Sequence, residues 1–445
     1  MKPVIMTEEK KTAVKPEKTT AKVAPKTKNK EKALKEVTPT KKVTQKTSAA
    51  KAGTAKGQSR QGAAAKRPVK TEETPVTKVQ KPTVGRTKKQ DSGSHPWLKK
   101  YPKDISWDVA IDPKPLHELL HDTIAKVPNN PCINFLGKKI SYAQVGDLVN
   151  KATKGLQSIG VKKGTRVGLF MPNAPYYIVM YFAIIQAGGI VVNYNPLYTD
   201  EEVSHQIQDS MTDIMVTLDL DIFYQKLKPM LGRTNLQKLV VCSVGKALPF
   251  FKSLLFSLVR MKDRAHVAYS DNIINYEDLI NNDGRYIPVE IQPTKDVALF
   301  QYTGGTTGVP KGAMLTHGNV YSNAVQASMW FSGAQYGREK VLAALPLFHV
   351  FAMTAVMTFA IKVGAEIIMM FPRFNVEEAM HLINKHKITF FPAVPTMYGM
   401  INNHPDVKDF NLSSLRVCLS GGAGLPRKIK QDFETLTGCT LIEAY

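Results

Sequence analysis

The amino-acid sequence predicts an α/β fold, with largely parallel β-sheet covered by helices on both faces and a disordered N-terminal tail in front of it. Three observations lead there. From about residue 165, short apolar runs alternate with helix-length stretches. The runs are apolar throughout instead of alternating with polar residues, the pattern of strands buried on both faces. The first 95 residues contain no Phe, Trp or Tyr, the first aromatic being Trp97.

In chain order the tail comes first. Residues 1–95 hold 25 Lys and Arg against 8 Asp and Glu, a net +17 of the +23 carried by all 445 residues. A segment rich in Lys, Thr, Ala and Pro cannot bury enough apolar surface to offset its ordering entropy, so disorder is expected. Its charge suits an anionic membrane surface. Bases would need aromatic side chains to stack on, and the tail has none, so no specific nucleic acid is expected. Residues 96–445 are expected to form the folded domain.

Within that domain, residues 167–171 read as a buried strand ended by Pro172 and Asn173. A helix follows to Ala187, stopped by Gly188 and Gly189, and residues 190–193 form the next strand. Runs 213–218, 238–244, 298–303, 341–345, 366–371, 388–392 and 416–420 continue the series, with helices over 376–386 and 426–436 between the later ones. Ligands in such sheets collect at the carboxyl ends of strands, so the strand-to-helix loops are the places to search.

Residues 246–264 are apolar with basic punctuation and too short to span a membrane. They fit either an interfacial helix or a core-packed one. No apolar stretch follows Met1, and no run reaches the ~18 residues of a membrane span. A cytoplasmic location is expected, with peripheral contact on the cytoplasmic face of the membrane. Cys132, Cys242, Cys418 and Cys439 lack C-x-x-C spacing and read as buried thiols of a reducing compartment.

The strongest local signal is Tyr302-Thr303-Gly304-Gly305-Thr306-Thr307-Gly308-Val309-Pro310-Lys311-Gly312, read as a loop between the strand ending at Thr303 and a helix beginning near His317. Glycines let backbone N–H groups turn toward an anion, while hydroxyls and a Lys add donors and charge, a combination that suits a polyphosphate. It is no Walker A loop, since Gly312 stands where the Mg²⁺-binding Ser or Thr should follow Lys311.

This loop resembles the signature of the adenylate-forming superfamily, and its Tyr-Thr-Gly-Gly form is similar to that of long-chain fatty-acid–CoA ligases. Further stretches resemble family motifs in the same order. These are Lys163 to Val167, Met171-Pro172-Asn173, Asn193 to Thr199, Ala344 to Phe351 and Leu419 to Gly424. The resemblance implies the β/α subdomains of the large N-terminal domain of such enzymes. It also implies a reaction in which a carboxylate attacks the α-phosphate of ATP, giving acyl-AMP, and the thiol of coenzyme A then displaces AMP.

By the same resemblance, Thr303, Gly304, Gly305, Thr306, Thr307, Gly308 and Lys311 would hold the phosphates, with Thr306 at Mg²⁺ and Lys311 catalytic. His349 would stand near the reacting carboxylate. Gly421, Gly422, Ala423 and Tyr445 would line the adenine and acyl-adenylate. Val350, Val394, Pro395 and Thr396 would border the acyl pocket, whose lack of charge suits a long-chain fatty acid. The family's next motif is interrupted at Tyr445, and its small C-terminal domain is missing, so the chain is expected to be a fragment or a truncated product. The alternatives are a ligase of another carboxylic acid and a non-catalytic binding protein that uses the basic tail.

One motif competes. His117-Glu118-Leu119-Leu120-His121 fits the H-E-x-x-H zinc signature. Leu116, Leu119, Leu120 and Ile124 form an apolar stripe through it, and no clear third ligand follows, so an ordinary amphipathic helix is expected and zinc is not.

Overall fold

Continuous apolar runs become strands here because both faces of each sheet are covered. The computed structural model describes residues 96–101, 105–259, 263–303, 310–331 and 333–444. The tail expectation for residues 1–95 lies outside them. Among the described residues fourteen strands follow one another: β1 Pro131–Phe135, β2 Lys138–Ser141, β3 Arg166–Phe170, β4 Ile190–Asn193, β5 Ile214–Leu218, β6 Lys238–Cys242, β7 Ile273–Asn275, β8 Val297–Thr303, β9 Lys311–Thr316, β10 Lys340–Ala343, β11 Glu366–Met369, β12 Phe390–Ala393, β13 Val417–Ser420 and β14 Thr440–Glu443.

They form two seven-stranded sheets. One has the order β14-β13-β12-β10-β11-β1-β2 and the other β7-β6-β5-β3-β4-β8-β9. All pairings are parallel except at one edge of each sheet, where β1 with β2 and β8 with β9 are antiparallel. The chain starts the first sheet, builds the second, then returns to finish the first.

The helix Pro175–Gln186 is buried along its entire length, as its nearly unbroken apolar sequence requires. Pro175 occupies its first turn, where the missing N–H is not needed. Polar residues around it bridge the two sheets. Asn173 donates from Nδ2 to the carbonyls of Ala343 (3.0 Å) and Leu345 (2.9 Å), and its Oδ1 accepts from Leu347 N (2.8 Å). The Tyr177 hydroxyl reaches Asn193 Oδ1 at 2.8 Å and the Leu347 carbonyl at 3.0 Å.

Two sequence expectations change. The glycine-rich stretch does not lead directly into a helix. Strand β9 intervenes, and the helix His317–Trp330 begins only after it. β9 was hidden because Lys311-Gly312-Ala313-Met314-Leu315-Thr316 is an exposed edge strand with little apolar patterning. The helix Phe250–Val259 is also not packed into the core, since Phe250, Phe251, Leu254 and Leu255 are exposed.

Two buried histidines make stability depend on pH. His317 accepts a hydrogen bond from Leu116 N (3.1 Å), and burial pushes its pKa down to about 4. Burial, with the neighbouring His121 and His317 adding, pushes His117 down to about 3. Unfolded, each binds a proton near pH ~6.5, so the unfolded state binds more protons as pH falls. Their contribution is complete above that pH and is lost on acidification toward 4, on the order of 3 kcal/mol for each. The urea midpoint should therefore drop between pH 7 and 4.5, and the drop should shrink in His317→Gln. An equal drop in that variant would assign the acid sensitivity to other groups.

Candidate functional site

Thr303 ends β8 and Lys311 opens β9, and the two stand opposite each other in register with both side chains exposed. They form the mouth of the β8–β9 hairpin. The expectations for Gly304, Gly305, Thr306, Thr307 and Gly308 lie outside the described residues, as does that for Tyr445. The stem itself is firmly held. Tyr302 pairs with Gly312, and a Cβ on Gly312 would come within 2.9 Å of the Tyr302 ring, so glycine lets the ring lie across the strand. The Tyr302 hydroxyl donates to the carboxylate of Asp209, tying the stem to the helix Asp200–Ser210. Burial and that carboxylate hold the Tyr302 pKa above its ordinary value.

A buried polar relay runs from this stem to Phe348, the neighbour of His349. Gln301, just inside the mouth, accepts at Oε1 from Asn193 Nδ2 (3.0 Å) and donates from Nε2 to the Phe348 carbonyl (3.1 Å). Asn193 is the residue that Tyr177 reaches. Gln301 and Asn193 are nearly inaccessible to solvent, so each lost partner would strand a buried polar group at a cost of about 1–3 kcal/mol. The relay fixes where the His349 segment sits relative to β8.

His349 caps the short helix Val350–Ala352, its Nδ1 accepting from Phe351 N at 3.3 Å. The ring keeps access to solvent, yet the surrounding protein lowers its pKa below the ordinary histidine value. It is therefore neutral at pH 7, and Nε2 is free of protein partners among the described residues. The helix then widens into a π-type turn, Met353–Thr358, a distortion found disproportionately at functional positions.

The glycine loop meets this segment directly. A Cβ on Gly421 would lie 2.9–3.1 Å from three ring atoms of Phe351, so only glycine permits the ring to press on the backbone there. Gly422 has φ +81°, a left-handed conformation that favours glycine, and its Cβ position is 3.5 Å from Val394. Glu443 Oε1 accepts from Leu425 N (2.7 Å) and holds the far side of the loop. Val394 precedes the helix Pro395–Asn402. Val350 and Val394 are half-buried, Pro395 is buried, and Thr396 and Ala423 face solvent. The structure thus brings together the hairpin stem, His349, Phe351, Gly421, Gly422 and Val394, with their segments leaving the carboxyl ends of β8, β10, β12 and β13. That is where open parallel sheets bind ligands. Sequence reasoning assigned no role to Tyr177, Asp209, Gln301 or Phe351. The available signal was a neutral polar residue within an otherwise apolar strand, as at Asn193 and Gln301.

The competing motif also folds up locally. His117, Glu118 and His121 offer donor atoms within 4.8 Å of one another. His121 Nε2, however, bonds Gln186 Oε1 at 2.8 Å, and the stripe of Leu116, Leu119 and Leu120 is buried as in any amphipathic helix. Metal analysis of the purified chain should find no stoichiometric zinc. One tightly bound zinc per chain, lost in His121→Ala, would reverse that assignment.

Comparison with known proteins covers most of the described residues. A family model described as AMP-binding enzyme matches residues 120–445. A long-chain-fatty-acid–CoA ligase of Bacillus subtilis (strain 168) is 38% identical over 354 residues, covering 79% of this chain and 62% of that protein. A probable 4-coumarate–CoA ligase 1 of Dictyostelium discoideum is 31% identical over 74% of this chain and 58% of its own length. The chain thus spans about three-fifths of the curated relatives it matches. The solved structure of a long-chain-fatty-acid–CoA ligase from Archaeoglobus fulgidus superposes with a TM-score of 0.63 at 23% identity, over 76% of this chain and 65% of that one, a likeness of fold.

Proposed function

The chain belongs to the AMP-binding enzyme family, and from that premise we propose that it supplies the nucleotide and acyl sites of a ligase converting a long-chain fatty acid first to acyl-AMP and then to acyl-CoA. The observation that carries the proposal is the contact of Phe351 with Gly421 and the relay from Gln301 to Phe348. Together they gather the polyphosphate hairpin, a neutral His and a glycine loop into one site.

The groups present fit the proposed ligands. Lys311, exposed at the hairpin mouth, adds charge for the polyphosphate of ATP, and Thr303 adds a hydroxyl. Gly422, exposed and without a side chain, leaves open backbone for the flat face of a nucleotide, beside Gly421, which the Phe351 ring covers. Mg²⁺ would neutralise phosphate charge, and Thr306 is the residue proposed to face it. The neutral His349 would orient the fatty carboxylate without a charge of its own. Attack on the α-phosphate then depends mainly on positioning and charge neutralisation. Coenzyme A enters as the second substrate.

The long-chain fatty acid is supported by the name of the Bacillus relative and by the uncharged segments at Val350, Val394 and Pro395. The 4-coumarate relative keeps a second reading open, a ligase of another carboxylic acid. ATP–pyrophosphate exchange by the full-length gene product separates them. Palmitate should drive exchange; exchange driven by coumarate or an amino acid but not by palmitate would refute the fatty-acid substrate. No exchange with any acid would favour a binding role.

The proposed location is the cytoplasmic face of a membrane. The +17 of residues 1–95 would hold the chain there by screened attraction, reversible and sensitive to salt.

A further inference from the structure

The helix Phe250–Val259 is out of keeping with the rest of the molecule. Phe250 is 79% exposed, Phe251 82%, Leu254 56% and Leu255 60%. At 100° per residue these four positions fall within an arc of roughly 140°, so they make one continuous apolar ridge. Isolated exposed apolar residues are ordinary, but a ridge of large ones marks an interaction surface.

Its flanks identify the partner. Lys252 lies on the same helix, outside that arc, and its Nζ reaches the Leu136 carbonyl at 2.8 Å. Lys138 Nζ reaches the Lys246 carbonyl at 2.7 Å. Both contacts draw ammonium groups to the β1–β2 turn beside the helix. In sequence, residues 246–264 contain Lys246, Lys252, Arg260, Lys262 and Arg264 against the single acid Asp263. Large apolar side chains bordered by lysines match a bilayer with anionic headgroups: the side chains enter the acyl boundary, and the ammonium groups stay at the phosphates. A neutral protein groove would have no use for the lysine border. None of the described helices is long and apolar enough to cross a membrane, so the helix would lie in the plane of the surface.

We propose that the ridge Phe250, Phe251, Leu254 and Leu255 is a membrane-insertion element that docks the chain onto an anionic bilayer. It deepens the peripheral location proposed above and adds a component that salt does not remove. It is also independent of the substrate, because docking is measured without catalysis. The tail draws the chain to the surface by charge, and the ridge holds it there by apolar burial. For a ligase of fatty acids, the docked state would shorten the path of an acyl chain out of the lipid.

The test uses the whole chain. The four native cysteines are buried, so a Phe251→Cys variant can be labelled selectively with an environment-sensitive fluorophore. On vesicles of phosphatidylcholine and phosphatidylglycerol the label should become apolar and stay so in high salt. Phe250→Ser/Phe251→Ser should weaken co-sedimentation at high salt by about tenfold or more. Its melting temperature should be unchanged, because the replaced side chains are already exposed. Deleting residues 1–95 should weaken binding at low salt only. A label that stays hydrated while the chain co-sediments would overturn the proposal and leave binding to the tail. A label that becomes apolar without vesicles, in step with protein concentration, would overturn it in favour of a second copy of the chain.

Discussion

Replacing Lys311 by alanine should slow fatty-acid-dependent ATP–pyrophosphate exchange by about ten- to a hundredfold, the loss of one charge-assisted contact worth about 1.5–3 kcal/mol. Lys311 is exposed at the hairpin mouth and opposes Thr303 in register. Its side chain has no partner among the described residues, so the melting temperature should stay where it is. Lys311→Arg keeps the charge but not the compact ammonium and should recover only part of the rate. Exchange unchanged in Lys311→Ala, at saturating and limiting ATP alike, would remove the residue from the nucleotide site.

Gly421→Ala should cost as much, by a different route. Its added Cβ would stand 2.9–3.1 Å from the Phe351 ring, closer than carbon atoms tolerate. The ring must move, and it moves two residues from His349, whose Nδ1 is bonded to the Phe351 N–H. A displacement of about 1 Å at a reacting group can lower a rate on the order of a hundredfold. Gly421 is not in the left-handed backbone region, so alanine introduces no φ strain there and the effect is steric. The second-site change Phe351→Leu should therefore restore much of the rate in Gly421→Ala. Failure of that rescue, with both variants folded, would show that the ring does not transmit the effect.

The parallel strands were legible because double-sided burial leaves an unbroken apolar run, and residues such as 167–171 and 190–193 have no other reading. The helix Val376–His386 was legible to the residue, since Asn375 caps its start by accepting from Glu378 N. β9 was not, because an exposed edge strand needs no apolar pattern. β2 escaped for a related reason: Lys138–Ser141 is a partly exposed edge strand with one large apolar residue, Ile140. At the site, the glycine-rich and His-containing motifs stood out as compositional oddities within apolar surroundings. Their mutual arrangement did not, because it rests on pairs far apart in sequence. Phe351 against Gly421 and Gln301 against Phe348 are contacts that no local pattern encodes.

The winding order of the two sheets has a consequence for synthesis. Strand β1 lies between β2 and β11, with Ile133 opposite Ile367. When β1 leaves the ribosome, its parallel partner has not yet been made, and at 5–20 residues per second it waits on the order of ten seconds or longer. Over that interval the second sheet can close, since its strands run consecutively from β3 to β9. The β1–β2 hairpin meanwhile keeps an apolar face and an unpaired edge in solvent, the kind of surface that chaperones bind and that aggregates recruit. The nascent chain is therefore most vulnerable before β10 and β11 emerge.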